Sequence, residues 1–372
     1  SATSANIKAL AIGGSLGGAG GAGGGLAGSG AGASTTNTIN STVSAYASNT
    51  SGLDSSSGAV TISANDDSDI QADSGSGSLA GSGGAGGGAS ASVGASLSTN
   101  TVTSVVSAYA DQTTIDAQGN ISITSASSAD IKSLAIGGSL GGAGGAGGGL
   151  AGSGAGASTS NTINSTVSAY ASNGSDLNSS AGSATITADD DSVIQSIAGA
   201  GSLAGAGGAG GGASIAVGAG ISENTITSNT LAYVDNSILT VFSDVTIRAE
   251  SDSDVDALSI IGSLAGAGGA GGGLAGSGAG ASSNNVIIAN LEASIKGGSV
   301  VGSTNAGIET LGINNSDAKA DVVAATLAGA GGAGGGLAIA IGVSISDNNI
   351  SGTTQAFIAS STATAAQDID VF

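Results

Sequence analysis

Apolar and polar positions alternate with a period of two along most of this chain, and the alternation restarts at fixed intervals. Val60 and Ile62, Ile121 and Ile123, Ile186, Val245 and Ile247, and Leu311 and Ile313 are flanked by Ser, Thr, Asn and Ala, often two residues after a glycine such as Gly58 or Gly119. That is the pattern of a half-buried strand after a turn. A second run carries Asn37, Asn100, Asn161, Asn224, Asn285 and Asn348 at one place, each followed two residues later by Ile or Val. Nine residues after the Asn stands Tyr46, Tyr109, Tyr170, Tyr233 or Phe357, with Ser294 as the exception. No stretch sustains a helical period, so the chain is predicted to be all-β.

Between these runs lies a glycine-rich block that recurs six times, led by Leu16, Leu79, Leu140, Leu203, Leu264 and Leu327 at spacings of 63, 61, 63, 61 and 63 residues. Each leucine is followed at the same offset by GGAGGG. Small residues first recur every third position, as Ala267 and Ala270 do, which suits a polyglycine II-like strand. They then recur every second position, with Gly28, Gly30 and Gly32 alternating with Ala and Ser, a silk-like order whose glycine face would admit a second backbone. A flexible linker has no need of six copies in fixed register, so ordered packing is expected.

The half-repeat therefore supplies three segments of about 20 residues, each long enough for one coil of a β-solenoid. At about 4.8 Å per coil, some 18 coils would make a rod on the order of 85 Å long. The fold expected is an elongated repetitive β-solenoid or stacked β-fibre with polyglycine II or silk-like layers. Odd blocks continue LAGSGAGAS and even blocks ASASVGAS, ASIAVGAG or LAIAIGVS, so the larger unit is a pair: residues 1–124, 125–248 and 249–372. Neither end of the array carries a polar capping repeat, which points to a longer repetitive polypeptide or to copies joined end to end.

Composition narrows the chemistry. With 71 Gly, four Tyr, three Phe and no Trp, Met, Pro, Cys or His, the chain lacks the large side chains of a conventional core. Backbone hydrogen bonds and small contacts must hold it together. Catalytic triads, zinc sites and thiol chemistry are excluded by the missing His and Cys. A phosphate loop would end in Lys-Ser or Lys-Thr, whereas GGAGGG runs into Leu or Ala. Arg248 is the only arginine and has no counterpart in other copies, which argues against a lyase-like β-helix enzyme; Lys8 and Lys132 are repeat-equivalent and read as solvated. A formal charge of −21 from 26 acids and five bases makes nucleic acid an unsuitable partner. Residues 327–343 are the best spanning candidate, but they are short for a bilayer and too rich in Gly and Ala to insert, so no membrane-spanning segment is expected.

The acids form the one constellation with a chemical reading. Asp66, Asp67 and Asp69, Asp189, Asp190 and Asp191, and Asp252, Asp254 and Asp256 precede the glycine blocks. Carboxylates at alternate positions of a strand share a face, as in the last triplet, and a Ca²⁺ ion between them would relieve their repulsion. They are candidate calcium ligands, weighed against a solvated acidic rim; no other cofactor is called for. The Asn and aromatic columns are read as structural repeat positions, the Asn pairing with equivalent neighbours or capping a turn, the aromatics covering the step between levels.

The order GSLAGAGGAGGG, then AVG or GAG, then Asn-x-Ile, Ala-Tyr and GxVTIxA resembles the repeat regions of giant bacterial adhesins of the filamentous-haemagglutinin-like and autotransporter-like families. The resemblance covers nearly the whole chain and implies an extracellular, non-catalytic β-solenoid at the bacterial cell surface. The high identity between units adds the expectation of self-assembly, with the chain's own copies as partners, into a fibre, stalk or filament for adhesion or biofilm matrix. The alternative is a binding module whose Thr, Ser and Asn face, residues 35–42 for example, recognises glycan or ice.

Overall fold

A computed structural model describes residues 1–49 and 52–372, and they form a parallel β-solenoid. The first coil is β1 (Ala2–Gly21), β2 (Gly25–Ser48) and β3 (Gly52–Ser55); the second is β4 (Val60–Gly84), β5 (Gly88–Asp111) and β6 (Thr114–Ala117). The third and fourth coils are β7 (Ile121–Ala143), β8 (Gly149–Ser172) and β9 (Asp176–Ser179), then β10 (Ala184–Ala206), β11 (Gly212–Asp235) and β12 (Ile238–Val241). The fifth is β13 (Val245–Gly268), β14 (Gly273–Lys296) and β15 (Val300–Ser303). In the sixth the first strand is broken into β16 (Ile308–Asn314) and β17 (Asp317–Gly331), followed by β18 (Gly336–Ile358) and β19 (Thr362–Thr364); β20 (Ile369–Val371) pairs with β16.

Every third strand pairs in parallel, so the chain builds three sheets: sheet 1 from β1 to β20, sheet 2 from β2 to β18 and the short sheet 3 from β3 to β19. The pairing register equals the sequence repeat, with Leu79 beside Leu16 and Leu140, and Asn100 beside Asn37 and Asn161.

A coil is a whole half-repeat of 61 or 63 residues, not a third of it, so the sheets stack six full coils rather than some 18. Five steps of about 4.8 Å give an axial rise of about 24 Å, whereas a 24-residue strand runs about 80 Å across it. The segment carrying the acids joins the Val/Ile run and the first half of the glycine block in one strand, as β4 shows.

The glycine block is corrected too. It is an arch joining sheet 1 to sheet 2, not a polyglycine II layer: Ala267 still lies in β13 and Ala270 lies in the turn. Its backbone is hydrogen-bonded from coil to coil through the bend, Gly88 N to Gly148 O and Gly149 N to Gly211 O at 3.1 Å each. Gly208 has φ +144°, and a Cβ there would stand 2.0 Å from Gly145 O. Only glycine fits. The silk-like face is also reversed: Gly28, Gly30 and Gly32 point outward, while Ala27, Ser29, Ala31 and Ala33 point into the coil. Close approach comes from the opposite strand, where a Cβ on Gly13 or Gly17 would lie 2.0 or 2.3 Å from the carbonyl oxygens of Gly32 and Gly28.

The core is graded along the slab. Where three sheets meet, Ile, Val and Leu such as Ile123, Val167, Leu177 and Leu239 fill a prism. A separate column of Ile70, Ile131, Ile163, Ile194 and Ile226 occupies the middle, and near the arch only Ala, Ser and Gly fit between the sheets. There, hydroxyl pairs bridge the sheets at 2.6 Å, Ser78 with Ser92 and Ser139 with Ser153.

The arch geometry predicts that Gly208→Ala costs about 1–3 kcal/mol from backbone strain alone. Gly205→Ala, whose Cβ meets nothing within 4 Å, should stay within about 0.5 kcal/mol of the parent. Urea denaturation of both variants checks this, and equal midpoints would remove the steric account of the arch.

Candidate functional site

Because the pairing register equals the repeat, each repeat position becomes a column of like residues along the axis, and these columns are the only recurrent constellations the sequence supplies. The Asn column faces inward. Asn37 Nδ2 donates to Asn100 Oδ1 at 2.9 Å, and the bond is repeated at 2.8 Å from Asn100 to Asn161, Asn161 to Asn224, Asn224 to Asn285 and Asn285 to Asn348. The second amide hydrogen is used as well, by Ser133 Oγ for Asn161 and Ser222 Oγ for Asn224. The amides therefore form one directional, internally satisfied chain; they pair between coils and do not cap turns. The corner after sheet 2 is instead made by Asn49, Asn173 and Asn236, with Gln112 and Ser360, in left-handed conformation.

The aromatic column faces outward on sheet 2. Tyr46, Tyr109, Tyr170 and Tyr233 stack with ring centroids 5.0, 4.9 and 4.8 Å apart and planes within 6°. The stack stops where Ser294 replaces the ring, and the Lys296 ammonium covers Tyr233 at 4.5 Å. Phe357 lies one coil further, beside Ser294, and is separated from the stack. Burial raises the phenols of Tyr109, Tyr170 and Tyr233, and the neighbouring rings add to it, so these three stay neutral at ordinary pH.

The nine acids are divided between two faces. Asp67, Asp69, Asp189, Asp191, Asp252, Asp254 and Asp256 point out of sheet 1, and the last three share one face as their spacing predicts. Asp66 and Asp190 point inward and are buried. Neither of those two triplets can hold one ion from a single face. Among the described residues no group of three or more acids is arranged to hold a metal ion. Three of the five bases sit among the outer acids: Lys132 pairs with Asp130, Arg248 with Glu250, and Lys319 with Asp321 at 2.9 Å and Asp256 at 3.7 Å. Burial raises the Asp191 and Asp254 carboxyls, and Asp252 beside each adds to the shift.

The buried pair was missed by sequence reasoning, although strand parity marks it. Asp66 shares its side of β4 with Ile62, Ala64, Ser68 and Ile70. Its carboxylate accepts hydrogen bonds from Ser41 at 2.7 Å, Ser104 at 2.6 Å and Ser68 at 3.0 Å. Asp190 repeats the arrangement 124 residues on, accepting from Ser192 at 3.1 Å. Burial pushes the Asp190 carboxyl above the usual range, opposed by the hydroxyls of Ser228, Ser165 and Ser192.

The two outer faces differ. On sheet 2, Thr36, Thr38, Asn40 and Thr42 point outward, while Thr35, Asn37, Ile39 and Ser41 point inward, so residues 35–42 are not one binding face. One outward column holds Thr38, Thr101, Thr162 and Thr225, then changes to Val286 and Asn349. On sheet 1 the six block-leading leucines form an outward ladder between glycine columns. No helix among the described residues is long and apolar enough to cross a membrane; residues 327–343 leave β17, turn through an arch and enter β18. Comparison with protein-family models, characterised proteins and solved structures finds no match to this chain.

Two predictions follow from the buried columns. Asn161→Leu orphans the Asn100 donor and the Asn224 acceptor at about 1–3 kcal/mol each, so the stack should lose about 2–6 kcal/mol in chemical denaturation. A loss under half a kilocalorie would show that the ladder contributes nothing. Asp190 binds a proton more tightly folded than unfolded. Its contribution is fully present below the unfolded value of about 3.8 and is lost as pH rises through the higher folded value. Asp190→Asn should therefore be more stable than the parent at pH 7, with a flatter dependence above pH 4; urea midpoints against pH measure it, and an unchanged slope would refute it.

Proposed function

We propose that this protein is a non-catalytic structural element, an extracellular β-fibre, stalk or filament at a bacterial cell surface that serves adhesion or matrix formation. The observation that carries the reading is the unbroken register. Each internal coil offers the next the same strand edges and the same Asn donor that it received from the coil before, through all six copies. Such a stack lengthens by adding coils without any change in its side faces. The repeat-region resemblance to giant bacterial adhesins supports the extracellular setting, and the absence of Cys from the chain is compatible with it.

A non-catalytic role is supported by what faces outward. The chain has no His or Cys, and Arg248 is held in an ion pair with Glu250. The acidic outer half of sheet 1 keeps neighbouring fibres soluble and apart.

Electron microscopy of the purified chain tests the proposal. Filaments with a layer line near 4.8 Å and a unit repeat of about 29 Å for six coils are expected. Particles that stay one six-coil slab long under all solution conditions would remove end-to-end growth.

A further inference from the structure

The outer face of sheet 1 near the arch is apolar and has a regular relief. Leu16, Leu79, Leu140, Leu203, Leu264 and Leu327 stand in one column, and the four internal ones remain 39–40% exposed although each lies beside the next in the ladder. On one side of this ridge the column reads Gly77, Gly138, Gly201 and Gly262; on the other, Gly81, Gly142, Gly205 and Gly266. The result is a leucine ridge between two glycine-floored grooves, all parallel to the solenoid axis. Clefts line both flanks of the ridge. Nothing within 4 Å would meet a Cβ on Gly201, so that groove floor is open to an incoming side chain.

We propose that this face is the lateral interface with a second copy of the chain, the leucine ridge of each copy seated in a glycine groove of the other. Three observations select a second copy. The first is shape: ridge and groove are two residues apart, and a two-fold axis parallel to the solenoid axis, between the Leu203 and Gly201 columns, puts each ridge opposite a groove. Both members then share the coil spacing, so the leucines of the first five coils each meet a glycine of the partner and Leu327 meets Ala325. The second is area. From the Ile12 column to the Gly20 column the face spans eight residues by six strands, on the order of 750 Å². That exceeds the patch of about 300–600 Å² usual on a monomer, and it falls within the roughly 600–1,000 Å² per partner of a stable interface.

The third is charge. The columns from Ile12 to Gly20 carry no ionisable residue, whereas Asp67, Asp69, Asp191, Asp252, Asp254 and Asp256 lie on the other half of the same face. With a net charge of −21, two chains repel unless their acidic halves are separated. The two-fold axis along the solenoid does that, placing the acidic halves at opposite edges of the pair. It also keeps both stacks pointing the same way along the axis, so lateral pairing is compatible with axial growth. This pairing does not depend on end-to-end stacking, and the two separate in the test.

Sedimentation velocity and electron microscopy of the whole chain, compared with Gly201→Glu and the double variant Gly77→Glu/Gly201→Glu, read the interface. The parent should sediment as a pair at micromolar concentration, or as filaments two slabs wide. The variants, whose new side chains project into open groove, should give single slabs with an unchanged circular dichroism spectrum. Because the chain has no Cys, a mixture of Gly201→Cys and Leu203→Cys chains should form the mixed disulfide faster than either homodisulfide. A parent that is single-slab at every concentration would overturn the proposal. So would glutamate variants as wide as the parent, or mixed and homodisulfides formed at equal rates.

Discussion

Each residue in this solenoid faces a copy of itself, or of its counterpart in the paired repeat, one strand away in a parallel ladder. That constraint selects what a column can hold. Asn passes because its amide both donates and accepts, Tyr because rings stack near 4.9 Å, and Leu and Ile because they pack on themselves. A buried carboxylate does not pass, since two of them one strand apart would repel in a medium of low dielectric.

The 124-residue double repeat has a physical reason in the same constraint. Along the inward column of Asp66 the chain places Asp66, Ser127, Asp190 and Ser251, so no buried carboxylate stands beside another. The intervening serines leave room for hydroxyl donors from sheet 2. Bulk alternates for a related reason. Gly13 and Gly137 on sheet 1 admit the backbone of sheet 2 in the first and third coils, and in the second coil the glycine moves to sheet 2, where a Cβ on Gly94 would stand 2.1 Å from Gly138 O. Ile261 occupies the Gly137 column two coils on, and Gly218 and Gly220 opposite make the space for it. In the first four coils, residues that cannot repeat at every coil repeat at every second one.

Much of this was legible in the sequence, because position in an array is a physical coordinate. The Asn and Tyr columns, the all-β class and the shared face of Asp252, Asp254 and Asp256 all follow from spacing. Coil length did not, for two reasons. Strands of 20 to 25 residues lie far outside the usual range of about 3–10, so a long strand reads as two short ones. The turn also hides inside a glycine block whose first half is ordinary strand, and the positive-φ glycines Gly208 and Gly211 with their equivalents mark the bend. The inward course of Asp66 was readable from parity with Ile62 and Ile70, but three acids in four residues suggest a surface cluster more strongly than they suggest two faces.

The graded core ties stability to surface properties. In the prism, three sheets surround Ile, Val and Leu, and the usual burial of apolar area stabilises the coil. Near the arch the two sheets are too close for such side chains, so Ala, Ser and Gly fill the gap and larger apolar groups are turned outward as the leucine ridge. Exposed leucines are thus a direct consequence of the close approach that the glycines permit. A thin, flat two-sheet edge cannot bury them internally. Their burial has to come from a surface outside the coil, and the regular spacing that constrains the core makes a second identical stack the surface whose period matches.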